Sequence, residues 1–259
     1  MEAGSAKKRV RIAALGDIHC SKDSKGLLEP IFAQAIKHGD VLVLCGDLTD
    51  YGLPEEAHLL VQELRPAAGK PIVAVLGNHD FEAGQQDTIK GVLSAAGIRV
   101  LDGDSCEFLG VGFAGVKGYI GGFGGRALQS WGEKGIKQIV HESMEEALKL
   151  ERALARLRTV QKVAILHYSP IAGTVEGEPL EILPFLGSSR LEEPFNRYPV
   201  SAIFHGHAHF GKLEGRTQSG VPVYNVAMAL LQRLKPEHPP FRVVDLVMTH
   251  HLAPAAQGT

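Results

Sequence analysis

Five short apolar segments recur along this chain, and each of them ends at a glycine or at a cluster of Asp, Asn and His residues. Apolar runs of this length that end in turn residues are typical of buried β-strands. The segments are residues 10–16, 41–45, 72–76, 163–166 and 202–204. Ligands bind at the carboxyl ends of the strands in open α/β sheets. The pattern therefore predicts an α/β fold in which the strand ends assemble one site from distant parts of the chain.

The intervals between these segments predict the remaining elements. Apolar residues at helical spacing, with proline near a start or glycine at an end, predict helices over residues 27–38, 54–64, 85–96 and 143–157. Further short strands are predicted over residues 99–101, 106–109, 111–114, 221–226 and 241–247. The length of the chain suits one α/β domain over residues 1–259.

The polar side chains that follow the five strands supply oxygen and imidazole ligands and no thiolate. Such a set suits divalent Mn, Fe and Zn better than Cu(I) or an iron–sulfur cluster. Seven candidates are too many for one tetrahedral zinc, and they fit two metal ions roughly 3.5–4 Å apart that share a bridging carboxylate. The candidates are Asp17, His19, Asp47, Asn78, His167, His207 and His209.

The order of these motifs resembles that of a known family. Five motifs follow one another as in the calcineurin-like metallophosphoesterase superfamily: D-x-H at Asp17, G-D-x-x-D at Gly46, G-N-H-D at Gly77, a lone His167 and G-H-x-H at Gly206. The resemblance covers most of the chain. It implies a two-sheet β-sandwich flanked by helices, with the site on one edge, and an activity as a metal-dependent phosphoesterase.

The resemblance also implies how the seven candidates divide between two metal ions. One ion would be bound by Asp17, His19 and His209, and the other by Asn78, His167 and His207. Asp47 would bridge the two ions.

Catalytic roles follow from the same resemblance. His79 would contact the substrate phosphate and either donate a proton to the leaving alkoxide or stabilise it electrostatically. Asp50 would orient His79 and keep it charged, since a nearby carboxylate favours the protonated imidazole. Asn78 would fix one phosphate oxygen as well as a metal ion. Asp80 is either a second orienting residue or a turn residue at a helix start.

Each motif also has an ordinary structural explanation when it is taken alone. D-x-H at the start of a loop is commonly a cap or a turn, and a histidine after a strand, such as His167, is commonly a hydrogen-bonded structural residue. His205 precedes the glycine of G-H-x-H, so we interpret it as a residue that supports the site. Cys20 follows His19 at the predicted rim of the site, but the metal ligands explain the chemistry without a catalytic thiol.

Charge and composition limit the partners and the location. The formal net charge of −2 argues against strong nonspecific binding of nucleic acid, because such binding needs a basic face. No stretch approaches the roughly 18 apolar residues of a membrane span, and residues 1–6 have no signal-peptide pattern. Cys20, Cys45 and Cys106 form no C-x-x-C pair and suit a reducing compartment. We therefore predict a cytoplasmic enzyme that acts on a small phosphoester and has no membrane partner. A nucleic-acid partner is disfavoured but stays open, as does the oligomeric state.

The residues beside the motifs bear on the substrate. Ser/Thr protein phosphatases of the superfamily carry Arg after G-D-x-x-D and Glu after G-N-H, whereas this chain has Tyr51 and Asp80. The resemblance therefore favours the branch of small bacterial or archaeal phosphodiesterases.

Two irregular segments are candidates for substrate contacts. Residues 115–135 are rich in glycine, and such long loops are often functional. Their polar and aromatic members are Lys117, Tyr119, Arg126 and Trp131. Residues 172–198 are either a solvated acidic loop or a substrate-facing insertion in which Arg190 or Arg197 reaches a phosphate.

These observations combine into one predicted function. The chain is predicted to be a dinuclear hydrolase that cleaves a small phosphodiester by attack of a metal-activated hydroxide. Manganese is the predicted metal, with iron or zinc as alternatives. A phosphomonoesterase or a nuclease on the same site is one alternative function. A noncatalytic interaction module with the same fold is another; it should have lost ligands, and none of the seven is missing.

Overall fold

The computed structural model describes residues 9–248, which form two β-sheets with helices on their outer faces. In chain order the strands are β1 (Arg9–Leu15), β2 (Val41–Cys45), β3 (Ile72–Val75), β4 (Arg99–Val100), β5 (Asp104–Phe108), β6 (Val111–Gly115), β7 (Gln161–Ile165), β8 (Ala202–His205), β9 (Glu214–Arg216), β10 (Pro222–Asn225) and β11 (Arg242–Val247). The α-helices are α1 (Glu29–His38), α2 (Pro54–Glu63), α3 (Gln86–Ala95), α4 (Lys134–Arg156), α5 (Glu193–Arg197) and α6 (Met228–Leu234). Within residues 9–248, none of the helices combines the length and the apolar character needed to cross a bilayer.

The two sheets are mixed, with antiparallel strands only at their edges. The first sheet has the order β11-β1-β2-β3-β4, in which β1 to β4 run parallel and β11 runs antiparallel. The second has the order β5-β6-β7-β8-β10-β9, in which β5 and β9 are the antiparallel strands. This arrangement confirms the predicted two-sheet α/β sandwich flanked by helices.

Apolar layers lie between the sheets and on their outer faces. Successive side chains of a strand point to opposite faces. In β1, Ile12 and Ala14 pack between the two sheets, whereas Ala13 and Leu15 pack on the outer helices together with Phe32 of α1. A third layer packs α4 on the outer face of the second sheet. Because both faces of the parallel strands are buried, their sequences are continuous apolar runs.

The two sheets meet where their central strands end. Gly16, directly after β1, donates a backbone hydrogen bond of 2.9 Å to the carbonyl of Val226, directly after β10. Asp17 donates a similar bond of 2.9 Å to Gly46, directly after β2. Loops from both sheets therefore share one edge of the sandwich, and the polar motifs lie on these loops.

Some elements differ from the sequence prediction. Helix α4 begins at Lys134 rather than at residue 143, so the glycine-rich loop is shorter than predicted. Glycine disfavours helix interiors, and Gly132 and Gly135 conceal this start in the sequence. The sequence does not predict β9 or α6, which contain only 3 and 7 residues and are too short to display a clear period.

Candidate metal centre

Three of the predicted ligands meet where β1 and β8 end. Asp17, His19 and His209 each place one ligand atom within 4.8 Å of the others. His209 Nε2 lies 2.9 Å from Asp17 Oδ1. These are the same three residues that the resemblance groups around one ion.

A second group lies where β2, β3, β7 and β8 end. Ligand atoms of Asp47, His167 and His207 lie within 4.8 Å of one another. Asn78 adds an amide oxygen, whose distance from His167 Nε2 is 2.8 Å. The structure thus brings all seven predicted ligands together in two adjacent groups.

The carboxylate of Asp47 lies between these groups. Its Oδ1 is 3.4 Å from His167 Nε2, in the second group. Its Oδ2 is 3.8 Å from His19 Nε2, in the first group. Each oxygen therefore faces a different group, which is the orientation that a bridging carboxylate requires.

Four of the candidate ligands have a backbone conformation that side-chain-bearing residues seldom adopt. The φ angles are 55° at Asp17, 46° at His19, 47° at Asp47 and 68° at His207. Among residues 9–248, Leu109 is the remaining non-glycine residue with positive φ. Such conformations are unfavourable and tend to cluster at functional sites, where surrounding structure holds them. Here the His19 amide donates to the Asp47 carbonyl at 2.9 Å, so two of these turns support each other.

Glycines of two motifs allow the carboxylates to approach the backbone. A side chain at Gly77 would overlap the carboxylate of Asp47, and one at Gly206 would overlap that of Asp17. The glycines of G-N-H-D and G-H-x-H are therefore required by close packing of backbone against candidate ligands.

Hydrogen bonds to the backbone orient several imidazoles. His167 Nδ1 lies 3.0 Å from the Cys45 carbonyl, which leaves Nε2 directed at Asp47. His207 Nε2 lies 3.1 Å from the Phe185 carbonyl, which leaves Nδ1 as its ligand atom. Histidines that bind metals usually donate their other ring N–H to such a partner.

The electrostatics of the site also fit a cation. Burial, and then the charge of Asp17, raise the pKa of Asp47 to about 6. Burial, and then the charge of His167, lower the pKa of His207 to about 3, and burial also lowers the pKa of His167. Buried carboxylates are costly without a counter-charge, and neutral imidazoles are the form that binds metals. His19 Nε2 is moreover buried without any hydrogen-bond partner among the described residues, although it faces the Asp47 carboxylate.

Asp50 contacts His79 through its backbone. The Asp50 carbonyl lies 2.6 Å from His79 Nδ1, whereas its carboxylate is 3.9 Å from that atom. The carboxylate lies nearer to His19, with a distance of 3.2 Å from Oδ1 to His19 Nδ1. The resemblance predicts Asp50 as the residue that orients His79, and in the structure it is the main chain that makes the closer contact.

Asp80 connects two of the loops that carry candidate ligands. Its buried carboxylate accepts hydrogen bonds from the backbone amides of Leu48, Thr49 and Gly77 and from the Thr49 hydroxyl. It therefore ties the loop after β2 to the loop after β3. Of the two interpretations open in the sequence, this geometry favours the structural one.

His205 and Cys20 are both buried beside the candidate ligands. His205 bonds to the Gly206 carbonyl at 2.7 Å and to Thr174 Oγ1 at 2.8 Å, and it belongs to none of the ligand groups. Burial raises the pKa of the Cys20 thiol to about 12, so a reactive thiolate is absent near neutral pH.

The arginines of segment 172–198 are engaged in contacts within the fold. Arg197 forms a 2.7 Å ion pair with Glu151 of α4, and Arg190 donates at 2.6 Å to the Leu128 carbonyl. The segment instead reaches the candidate ligands through the backbone of Phe185. Sequence patterns contain no signal for such a main-chain contact.

Tyr168 and Lys117 are neighbours of the site that the motifs do not indicate. The Tyr168 ring is centred 4.4 Å from the ring of His207. The carbonyl of Lys117 accepts the backbone amides of His167 and Tyr168 at 3.0 and 3.1 Å. Tyr168 directly follows a predicted ligand, so proximity to a strand end was the available signal for it. Lys117 belongs to the glycine-rich segment 115–135, which the sequence analysis considers for substrate contacts.

Two stacked mixed sheets, with clustered Asp, Asn and His side chains at one edge, define the class of metallophosphoesterase α/β sandwiches. A family model described as calcineurin-like phosphoesterase matches residues 10–211. The chain therefore belongs to the calcineurin-like phosphoesterase family, which confirms the resemblance found in the sequence. No curated protein matches the chain.

Solved structures share this fold at low sequence identity. The crystal structure of a phosphopantetheinyl hydrolase from Mycobacterium tuberculosis has a TM-score of 0.63 and 13% identity, and covers 90% of this chain and 95% of its own. A protein of Thermus thermophilus has a TM-score of 0.56 and 14% identity over 92% and 99% of the two chains. A putative 5'-nucleotidase from Staphylococcus aureus has a TM-score of 0.51 and 17% identity over 84% and 48%. At these identities the likeness establishes the fold.

Proposed function

We propose that this protein is a hydrolase of small phosphodiesters that uses two divalent metal ions. The observation that carries the proposal is the position of the Asp47 carboxylate, which directs one oxygen towards His19 and the other towards His167. A carboxylate between two groups of oxygen and nitrogen ligands is the arrangement expected for the bridging ligand of a two-metal site.

The ligands divide between the ions by proximity. We assign one ion to Asp17, His19 and His209, the other to Asn78, His167 and His207, and the bridge to Asp47. The grouping of His19, Asp50 and His79 is better explained as an orienting contact, since Asp50 faces Nδ1 of His19 and leaves Nε2 for an ion. Oxygen and imidazole ligands suit manganese, with iron or zinc as alternatives.

When bound, two divalent cations lower the pKa of a coordinated water and neutralise charge on the phosphoryl oxygens. The protein's own residues position and protonate the substrate. Asn78 holds a phosphoryl oxygen through its amide group. His79 donates a proton to the leaving alkoxide, and its electrostatics suit this role. Burial lowers the pKa of His79, but the hydrogen bond to the Asp50 carbonyl and nearby carboxylates outweigh burial and raise it.

Two cavities, each lined by a neighbour of His79, support a diester as the substrate. One cavity, of about 630 Å³, includes Asn78 in its wall. Another, of about 910 Å³, includes Asp50 and the exposed ring of Tyr51. A phosphodiester carries two alcohol groups and needs space for both, whereas a monoester needs one space.

The surroundings of the site also bear on partners and location. The wall of the Asn78 cavity includes five acidic residues, Asp87, Asp102, Glu142, Glu145 and Glu146, and three lysines, Lys90, Lys117 and Lys149. The excess of negative charge disfavours a long polyanion, which favours a small substrate over nucleic acid. Cys20, Cys45 and Cys106 are free thiols, and a cytoplasmic location stays a prediction that rests on them.

Hydrolysis of two chromogenic esters tests the proposal. With added Mn²⁺, we expect a higher kcat/KM for bis(p-nitrophenyl) phosphate than for p-nitrophenyl phosphate. Equal or reversed preference would identify a phosphomonoesterase, and nicking of plasmid DNA at comparable rates would identify a nuclease. Absence of turnover on all three substrates, with Mn²⁺, Fe²⁺ or Zn²⁺ bound, would indicate a noncatalytic module.

A pair of histidine variants links this activity to the proposed ligands. His207→Ala should abolish turnover and lower the metal content while the circular dichroism spectrum is unchanged. The matched control is His238→Ala, which removes an exposed histidine outside the ligand groups. Full activity in His207→Ala would contradict the ligand assignment.

A further inference from the structure

The cavity that opens from Asn78 contains a lysine in an unusual environment. Phe81, Tyr119 and Tyr168 line this cavity together with Lys117. The Nζ atom of Lys117 lies 4.7 Å from the centre of the Tyr119 ring and 5.2 Å from the centres of the other two rings. A cation over aromatic faces is favourable, but such contacts do not neutralise its charge.

Lys117 lacks a carboxylate partner, unlike another lysine of the same cavity. Its single side-chain hydrogen bond is to the Gly118 carbonyl at 3.2 Å, and it forms no ion pair with any residue in the range 9–248. Lys149, in contrast, pairs with Glu146 at 2.7 Å and with Asp102 at 3.2 Å. A partly buried ammonium without a counter-ion is costly, so an anion entering the cavity would be favoured at Lys117.

The position of Lys117 is fixed relative to the metal centre. Its carbonyl accepts the backbone amide of His167, a proposed ligand, at 3.0 Å. The next residue, Gly118, donates its amide to the buried carboxylate of Glu146 at 2.9 Å. The ring of Tyr168 is close to both groups: its centre lies 5.2 Å from the Lys117 ammonium and 4.4 Å from the centre of the His207 ring. Lys117 is therefore connected to the candidate metal centre through its own backbone and through one aromatic ring.

We propose that Lys117 binds a second anionic group of the substrate, a phosphate or a carboxylate carried on the alcohol that occupies the Asn78 cavity. This inference rests on the proposed function and specifies its substrate class as phosphodiesters that bear a further negative charge. The volume of about 630 Å³ lies within the usual range for small-molecule sites.

Competitive inhibitors with one or two anionic ends test this proposal. The probes are alkyl phosphonates, alkane bisphosphonates and ω-carboxyalkyl phosphonates with spacers of increasing length. Inhibition of bis(p-nitrophenyl) phosphate hydrolysis gives Ki, and calorimetry on the Mn²⁺-loaded protein gives Kd independently of turnover. At one spacer length we expect the second anion to tighten binding by about tenfold or more, as a charge-assisted hydrogen bond would. A preference between the bisphosphonate and carboxylate series identifies the kind of anion.

Variants at two lysines assign this gain to one side chain. In Lys117→Met the gain should fall below about twofold, and in Lys117→Arg part of it should remain. Lys149→Met is the matched control, since it removes a paired lysine from the same cavity and should retain the gain. A gain that is absent at every spacer length, or that persists in both Lys117→Met and Lys117→Gln, would overturn the proposal. Absence of hydrolysis of any phosphoester would instead overturn the proposed function, and the calorimetric comparison would still report on Lys117.

Discussion

The loops that follow the first sheet and those that follow the second supply different atoms to the candidate metal centre. The first-sheet loops carry all the oxygen ligands and one imidazole, from Asp17, His19, Asp47 and Asn78. The second-sheet loops carry imidazoles alone, from His167, His207 and His209.

The loops also differ in what holds them in place. The first-sheet loops bond to one another, for example through the buried carboxylate of Asp80. The second-sheet histidines are held by hydrogen bonds to first-sheet groups. The ring of His167 contacts the Cys45 carbonyl, and the Asp17 carboxylate contacts the His207 backbone amide and the His209 ring. The first-sheet loops therefore stabilise one another and also hold the second-sheet histidines. We expect substitutions in them to reduce metal content and stability more than substitutions in the second-sheet loops.

Substitution of Asp47 should have the largest effect of those considered. Asp47→Asn removes the charge between the two ligand groups, so we expect kcat/KM to fall by on the order of 10³-fold. Metal analysis should find fewer than two ions per chain. His209→Ala, on a second-sheet loop, should still retain the ion bound by Asn78, His167 and His207.

The control for this pair is Asp245→Asn, an exposed aspartate on β11 that should leave activity and metal content unchanged. Two bound ions and near-normal turnover in Asp47→Asn would refute a bridging role. Equal metal loss in Asp47→Asn and His209→Ala would remove the distinction between the two sets of loops.

Asp80 provides a test of stability in the first-sheet loops. Asp80→Ala leaves three backbone amides and a hydroxyl without their acceptor, so we expect the free energy of unfolding to drop by about 3–5 kcal/mol. The second-sheet counterpart is Glu178, a buried carboxylate that accepts one hydrogen bond, from the Phe210 amide at 2.7 Å. Glu178→Ala should cost about 1–2 kcal/mol in the same urea titrations. A larger loss from Glu178→Ala than from Asp80→Ala would reverse the comparison.

The start of α1, on the first-sheet side of the molecule, is held by a carboxylate, Glu63, whose contribution to stability depends on pH. Burial raises the pKa of Glu63, but hydrogen bonds from the amides of Gly26, Glu29 and Leu28 outweigh burial and lower it. A lowered carboxyl pKa contributes stability that is present above the unfolded pKa of about 4.3 and is lost as the pH falls through the folded pKa.

Glu63→Gln should therefore reduce the free energy of unfolding by about 1–2 kcal/mol near neutral pH. Below about pH 4 the difference between the two proteins should shrink, because the native carboxyl becomes protonated. Urea titrations across this pH range measure the difference. A difference that grows as the pH falls would mean that Glu63 does not act as an ionised acceptor.

The same two regions explain how much could be predicted from the sequence. Continuous apolar runs predicted the parallel strands because both faces of each strand are buried, and the polar residues at their ends gave the seven candidate ligands. The glycines beside them carry information too, since Gly77 and Gly206 have no space for a side chain. These features depend on residue identity, and the sequence records identity directly.

Other features depend on main-chain atoms or on packing across the chain. The Phe185 and Asp50 carbonyls contact His207 and His79, and any residue type supplies a carbonyl. The aromatic surroundings of Lys117 join residues from three separate segments, so the glycine-rich stretch alone predicts a functional loop but not the role of this side chain. The sequence therefore predicts which side chains cluster at the candidate site better than it predicts the contacts that orient them.

Substitution of Cys20 should have the smallest effect of those considered. It tests whether a residue of the first-sheet loops other than the candidate ligands takes part in catalysis. His19 directs its ring into the site, whereas the next side chain, Cys20, packs in the apolar layer between the first sheet and its helices. Because burial, with the charges of Glu63 and Glu56, raises the pKa of its thiol to about 12, Cys20→Ala should change kcat/KM by less than about twofold. The small cavity should lower the free energy of unfolding by about 1 kcal/mol. A loss of turnover at unchanged metal content would mean that the thiol takes part in the reaction. The proposed metal ions would then not account for catalysis by themselves.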